Sequence, residues 1–168
     1  MTARFTEETT SSLLTTPVVS RGTLAVIRPD RIIMRYSDPP GRILLIDGDL
    51  LTIVWPSRGI KETSNIGEAR RRIDKYFVDK SPSELRRSFT IVARIAPDRA
   101  NPNSWEVGMT PTRSQIRAGL TGLKLWIDRT SMMLRTMRME FPSGDVKTLT
   151  FDDVVVNKPV DPRTFSIE

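Results

Sequence analysis

The chain has 168 residues, of which 38% are hydrophobic and 27% charged, with a net charge of +6; that balance fits a folded domain with a sizeable core and excludes a disordered chain. Cysteine and histidine are both absent, which excludes disulfides, thiolate chemistry and imidazole catalysis and leaves carboxylates, lysine and tyrosine as the remaining reactive groups. Of the 26 basic residues 20 are arginine, whose planar fork suits phosphate and carboxylate groups, although a basic balance serves solubility equally well.

From the N-terminus, polar–apolar alternation dominates. The Thr-rich residues 4–16 read as an edge strand with a soft end, and residues 18–27 as a second strand that Pro29-Asp30 terminates. Residues 31–36 alternate again, with Ile32, Met34 and Tyr36 on one face, before the turn Asp38-Pro39-Pro40-Gly41. Strands 42–46 and 50–55 flank Asp47-Gly48-Asp49, a hairpin signal because Asp-Gly accepts the positive φ of a tight turn.

The middle of the chain changes period. Asn65 stands three residues before Glu68, and Ile66, Ala69, Ile73, Tyr76 and Phe77 recur at helical spacing. Ser81-Pro82-Ser83-Glu84 is a cleaner start, with Ser81 as cap, Pro82 in the first turn and Glu84 reaching back. These signals predict helices over 66–77 and 82–88. Strands are then expected over 89–95, 105–110, 120–127, 132–141 and 146–156, with a loop over 97–103 and turns at Asp128-Arg129-Thr130 and Pro142-Ser143-Gly144-Asp145. About ten strands joined in order by short turns predict an antiparallel meander that curls as it twists. Two helices inserted halfway can only lie across one face of it. The expected fold class is therefore α+β: a curled antiparallel sheet forming an incomplete β-barrel covered by short α-helices, in one domain spanning 1–168.

Alternation places Leu24, Val26, Ile32, Met34 and Tyr36 on the concave face, and Met133, Met137, Met139 and Phe141 form a second stripe of the same period. Such stripes usually pack as ordinary core. Methionine, however, also makes an adaptable surface around a flexible acyl chain, and a core beneath an empty lid is itself a pocket. Arg28 lies in phase with Leu24 and Val26, which predicts an inward guanidinium needing acceptors, or else a strand end reaching solvent. Arg70-Arg71-Arg72 fan over the side opposite Ile73, where Glu68–Arg72 and Arg70–Asp74 pairs are expected. Asp47-Gly48-Asp49 and Asp152-Asp153 are explained by a turn and a strand end, so no metal site is expected. Trp55, Trp105 and Trp126 are too dispersed for base stacking, so no nucleic-acid partner is expected. No apolar run approaches the ~20 residues of a membrane span.

Taken in order, several segments resemble the periplasmic outer-membrane lipoprotein carrier family (LolA-like). Phe5-Thr6-Glu7 stands where the family opens with Phe-Thr-Gln; Gly22-Thr23-Leu24 running into Arg28-Pro29 matches its Gly-x-Leu strand and Arg-Pro. Arg31 to Tyr36, Asp47-Gly48-Asp49-Leu50-Leu51, Ile127-Asp128, Phe151-Asp152-Asp153-Val154 before Asn157, and Val160-Asp161-Pro162-Arg163-Thr164-Phe165 follow in the family's order. The family's amphipathic helix ahead of Phe5 has no counterpart here, and Glu7 replaces its Gln. The resemblance implies an apolar cavity beneath helices, lined by the nine stripe residues, with Arg28 as the latch of the lid. It implies a non-catalytic, monomeric periplasmic carrier without cofactor, whose partners are an acylated lipoprotein or other lipid and inner-membrane donor and outer-membrane acceptor proteins. The alternative is a basic binding or sensor module of the same fold that recognises a protein partner or an anionic membrane surface without an internal lipid.

Overall fold

The computed structural model describes residues 1–96 and 99–167. Its strands are β1 (Thr2–Thr10), β2 (Val18–Ile27), β3 (Arg31–Asp38), β4 (Pro40–Asp47), β5 (Leu50–Trp55), β6 (Ile60–Asn65), β7 (Phe89–Ile95), β8 (Ser104–Pro111), β9 (Gly122–Asp128), β10 (Leu134–Glu140) and β11 (Val146–Val155). Three short helices, α1 (Gly67–Tyr76), α2 (Pro82–Ser88) and α3 (Ser114–Arg117), complete it. The strands form one open antiparallel sheet of eleven, in the order β6-β5-β4-β3-β2-β1-β11-β10-β9-β8-β7. The α+β class and the meander hold.

The differences have physical reasons. β6 was not expected, because all six of its residues are exposed and its sequence Ile-Lys-Glu-Thr-Ser-Asn carries no apolar alternation. β1 is no edge strand: it lies between β2 and β11 and buries Ala3, Phe5 and Glu7. Of the loop expected over 97–103, Pro97 and Asp98 lie outside the described residues, while Asn101 is buried and accepts a hydrogen bond from the Thr136 hydroxyl at 2.8 Å.

The chain divides into two compact units, one holding 1–5, 20–75 and the segment from Asp152 onward, the other 6–19 and 76–151. In the first, Ala25, Ile33 and Leu45 stack across β2, β3 and β4 and bury Phe165. The segment around Phe165 is pinned from below: Arg35 donates to the carbonyls of Thr164 and Ser166, and the Arg31 guanidinium lies 4.9 Å from the Phe165 ring. In this unit α1 starts where Asn65 Oδ1 accepts from the Gly67 N–H at 2.9 Å. Glu68 pairs with Arg72 as expected, but Arg70 donates to the Gly48 carbonyl at 2.6 Å and lies 3.7 Å from Asp49, tying the helix to the β4–β5 turn.

In the second unit the core is Phe89, Met109 and Ile116, packed against Phe77, Leu85, Val107, Leu123 and Leu125, with the Phe77 and Phe89 rings 4.9 Å apart. The capping box forms as the sequence implies: Ser81 Oγ accepts from the Glu84 N–H at 3.3 Å and the Glu84 carboxylate accepts from the Ser81 N–H at 2.9 Å. Asp128 organises the β9–β10 turn. It accepts from the Ser131 N–H at 2.8 Å, the Ser131 hydroxyl at 3.0 Å and the Thr130 N–H at 3.0 Å. The Ser131 N–H first, and then the Ser131 hydroxyl, hold its carboxyl below the ordinary aspartate value of 3.8. A depressed folded-state value means stability that is present above the unfolded value and lost as pH falls through the folded one. Asp128→Asn is therefore expected to lower the melting temperature by a constant amount near neutral pH, with the gap to wild type closing as acid protonates Asp128; a gap that stays constant down to acid pH refutes the assignment.

Candidate functional site

The register of the first unit separates two faces residue by residue. Ile33 pairs with Ala25 and Leu45, and these three make the core. Their neighbours point the other way: Met34 pairs with Leu24 and Leu44, Ile32 with Val26 and Ile46, and β5 extends the rows through Ile53 and Leu51. The result is an uncharged apolar array two residues deep and four strands wide, spanning about 14 Å across the strands. Leu24 is buried, whereas Val26, Ile32, Met34, Leu44, Ile46, Leu51 and Ile53 are only half-buried. Polar groups border it: Glu62 and Ser64 lie opposite Ile53 and Leu51 on β6, and Arg42 stacks 3.9 Å over the ring of Tyr36 at the far end.

Four of the residues expected to line the cavity, Leu24, Val26, Ile32 and Met34, thus share one face, and Tyr36 closes its end. Tyr36 is buried against Phe5, edge to face at 5.1 Å, and Gly22 lies beneath this ring pair. Sequence reasoning missed Leu44, Ile46, Leu51 and Ile53, although the alternation of the two hairpin strands carried the signal.

Of the two places expected for Arg28 the structure shows the strand end: β2 ends at Ile27, and Arg28 is exposed in the β2–β3 turn. The chain leaves the pleat before the alternation can carry Arg28 inward.

The second stripe lies in the other unit. Met137 and Met139 are half-buried on β10, opposite Leu125 and Leu123 of β9, and Phe141 is half-buried just past the strand, where its N–H donates to the Asp145 carbonyl at 3.0 Å. Met133 breaks the pattern. A bulge between Leu134 and Thr136 absorbs Arg135, so that Leu134, opposite Ile127, shares the face of Met137 and Met139 while Met133 falls out of phase ahead of the strand. On the neighbouring strands this face is filled by the helix-covered core around Phe89 and Met109.

The burial of two carboxylates, Glu7 and Glu106, escaped the sequence reading. Glu106 accepts from Arg94 Nε at 3.0 Å and Nη2 at 2.8 Å, with Lys124 Nζ at 3.6 Å; Glu7 lies 3.5 Å from Lys147 Nζ. Each is neutralised by its neighbours, which describes structural pairing. The shallow cavity of the first unit, about 280 Å³ beside Ala25, Ile33 and Arg35, lies mostly on the core side and falls short of the ≈300–1,000 Å³ usual for ligand pockets. Among the described residues no cluster of acidic side chains could hold a metal, and no helix is long and apolar enough to cross a membrane.

The family model described as outer membrane lipoprotein carrier protein LolA matches residues 1–168. No curated protein sequence matches. A DUF1329 family protein from Desulfovibrio piger superposes with a TM-score of 0.50 at 9% identity, over 99% of this chain and 89% of that one. A chain in the MucA/MucB complex of Pseudomonas aeruginosa does so with a TM-score of 0.51 at 12% identity, over 100% of this chain and 56% of that one. A LolA superfamily protein from Nitrosomonas europaea gives 0.41 at 10% identity, over 96% and 88%. At these identities the first two superpositions speak for the fold alone.

Proposed function

Because this chain belongs to the outer membrane lipoprotein carrier family, we propose that it is a non-catalytic periplasmic carrier that holds the acyl chains of lipoproteins or other lipids on their way to the outer membrane. One observation carries the reading. The apolar array of β2–β5 contains neither charge nor hydrogen-bonding side chain, and it is left half-buried while the alternate residues of the same strands make the core. An isolated domain gains nothing from leaving such a surface open to water. An acyl chain laid across it gains up to about 0.8 kcal/mol per buried CH₂. Partial exposure keeps that gain incomplete, as release to an acceptor requires.

A fluorescent medium-chain fatty acid tests this directly. Its emission is expected to rise and saturate on titration with the protein, and a long-chain fatty acid is expected to displace it. Absence of any saturable signal sinks the reading. It then favours the second one, a basic module for a protein partner or an anionic membrane surface, for which the arginine-rich composition and the fold shared with a chain of the MucA/MucB complex speak.

A further inference from the structure

Four connections of the second unit meet at one end of its strands. The β1–β2 loop is tied to the β10–β11 turn, where the Asp145 carboxylate accepts from the Ser11 hydroxyl. Beside that turn the Thr121 N–H, just ahead of β9, donates to the Glu140 carbonyl at 2.8 Å, which brings α3 to the same end. The last turn of α2 completes the row, because Phe89 pairs with Pro111 and the Thr112 N–H donates to the Ser88 carbonyl at 2.9 Å. From β1 to β7 the row crosses five strand spacings, about 24 Å.

The two flanks of this row differ in chemistry. At the β1 flank, residues 9–20 carry no charge in a chain that is 27% charged. Leu13, in the loop, is 91% exposed, and Leu14 beside it is 43% exposed. The base of the loop holds them in place: the Leu14 N–H donates to the Ser11 carbonyl at 3.0 Å and the Leu13 N–H to Ser11 Oγ at 3.3 Å. At the β7 flank stand Arg86 and Arg87 in the last turn of α2 and Arg113 and Arg117 at the two ends of α3, all exposed. None of the four forms an ion pair among the described residues. The neighbouring carboxylates are engaged elsewhere: Glu84 accepts from the Ser81 N–H, Glu140 pairs with Arg138 at 3.3 Å, and Asp145 holds Ser11.

From this we infer that this end of the second unit docks on an anionic phospholipid bilayer, with the arginines on headgroup phosphates and Leu13 and Leu14 at the boundary of the acyl chains. Unpaired guanidinium forks select phosphate. The leucines decide whose phosphate it is. A nucleic acid gives them nothing to bury against, whereas a bilayer offers phosphate and hydrocarbon within one interface. An uncharged loop enters that boundary with no ionised group to dehydrate, and its serine and threonine hydroxyls stay among the headgroups. Two leucines alone hold a surface weakly, and the arginines supply the second attraction. The surface uses no residue of the apolar array, so it stands whether or not that array holds an acyl chain.

Vesicles of equal parts phosphatidylcholine and phosphatidylglycerol are expected to sediment the protein at low salt, to release it as salt rises, and to hold it far more strongly than phosphatidylcholine alone. Arg86→Gln, Arg87→Gln and Arg117→Gln combined are expected to weaken this binding about a hundredfold, at roughly fivefold per arginine. Leu13→Ser with Leu14→Ser is expected to weaken it about tenfold at an unchanged melting temperature. The chain contains no cysteine, so Leu13→Cys carries a single environment-sensitive fluorophore. Its emission is expected to shift to the blue on the anionic vesicles, while the same label at Lys61→Cys, on exposed β6 of the other unit, does not shift. Met34→Asp is expected to keep the vesicle affinity within about threefold, which separates this surface from the acyl site. No binding to the anionic vesicles, binding that survives the arginine changes, or binding lost with Met34→Asp overturns the proposal. A label at Leu13 that stays in water while the arginines matter also overturns it, and assigns the arginines to an acidic protein instead.

Discussion

Ile33→Asp and Met34→Asp, one residue apart, are expected to give opposite results. Ile33 is 1% exposed and packs with Ala25, Leu45 and Phe165. A carboxylate there loses a buried side chain worth about 2–5 kcal/mol and adds an unpaired buried charge, which together exceed much of the 5–15 kcal/mol that holds an ordinary domain folded. The variant is expected to lack a cooperative thermal transition. Met34 is half-buried on the opposite face, between Leu24 and Leu44. A carboxylate there reaches water, so the fold is expected to survive within about 1 kcal/mol. Its charge, however, sits in the middle of the array, and the affinity for an acyl probe is expected to fall about a hundredfold, the scale of forcing apolar methylenes against a solvated charge. Chemical denaturation and probe titration read the two effects separately. A Met34→Asp protein that binds the probe like wild type moves the acyl site elsewhere.

The second large effect is expected at Gly22. A Cβ built there lies 2.0 Å from the Arg35 carbonyl oxygen and 2.9 Å from Phe5 Cε1. The oxygen belongs to the backbone of β3, beside the irregularity in the β2–β3 register between Arg21 and Gly22. It cannot retreat without breaking the pairing, and Phe5 cannot retreat without leaving Tyr36. Gly22→Ala is therefore expected to cost about 3 kcal/mol or more, a fall in melting temperature of roughly 6–12 °C for a chain of this size. Gly108→Ala is the control, since its nearest neighbour, the Val92 carbonyl oxygen, is 3.8 Å away. Equal melting temperatures for the two variants would mean that the close approach at Gly22 is relieved cheaply.

The motif residues show what was legible. Phe5, Gly22 and Tyr36 were read as separate signposts of a family order; in the structure they are one contact, two rings crossed over a position where no side chain fits. Helices α1 and α2 were legible because caps and period agree there, whereas α3, four residues long and without a side-chain cap, was not expected. Alternation found half of the apolar array, and the Asp47-Gly48 turn that joins its strands was legible from turn chemistry. What failed was phase and neighbourhood. One extra residue at Arg135 reverses the assignment ahead of it, and an exposed edge such as β6 has no reason to alternate. The closure of β1 onto β11 is likewise silent in the sequence: nothing in residues 2–10 says that they are flanked on both sides.

The neighbours of β1 are β2, made at once, and β11, made almost last. Until β11 joins, the far side of β1 is an edge, open to any passing strand. Glu7 sits in that edge, and a charge pointing inward deters a stranger from pairing. Lys147, arriving on β11, is the strand's own answer to it, 3.5 Å from the Glu7 carboxylate in the finished sheet. A pair that looks like an expense in the native state is, while the sheet assembles, a lock waiting for one key.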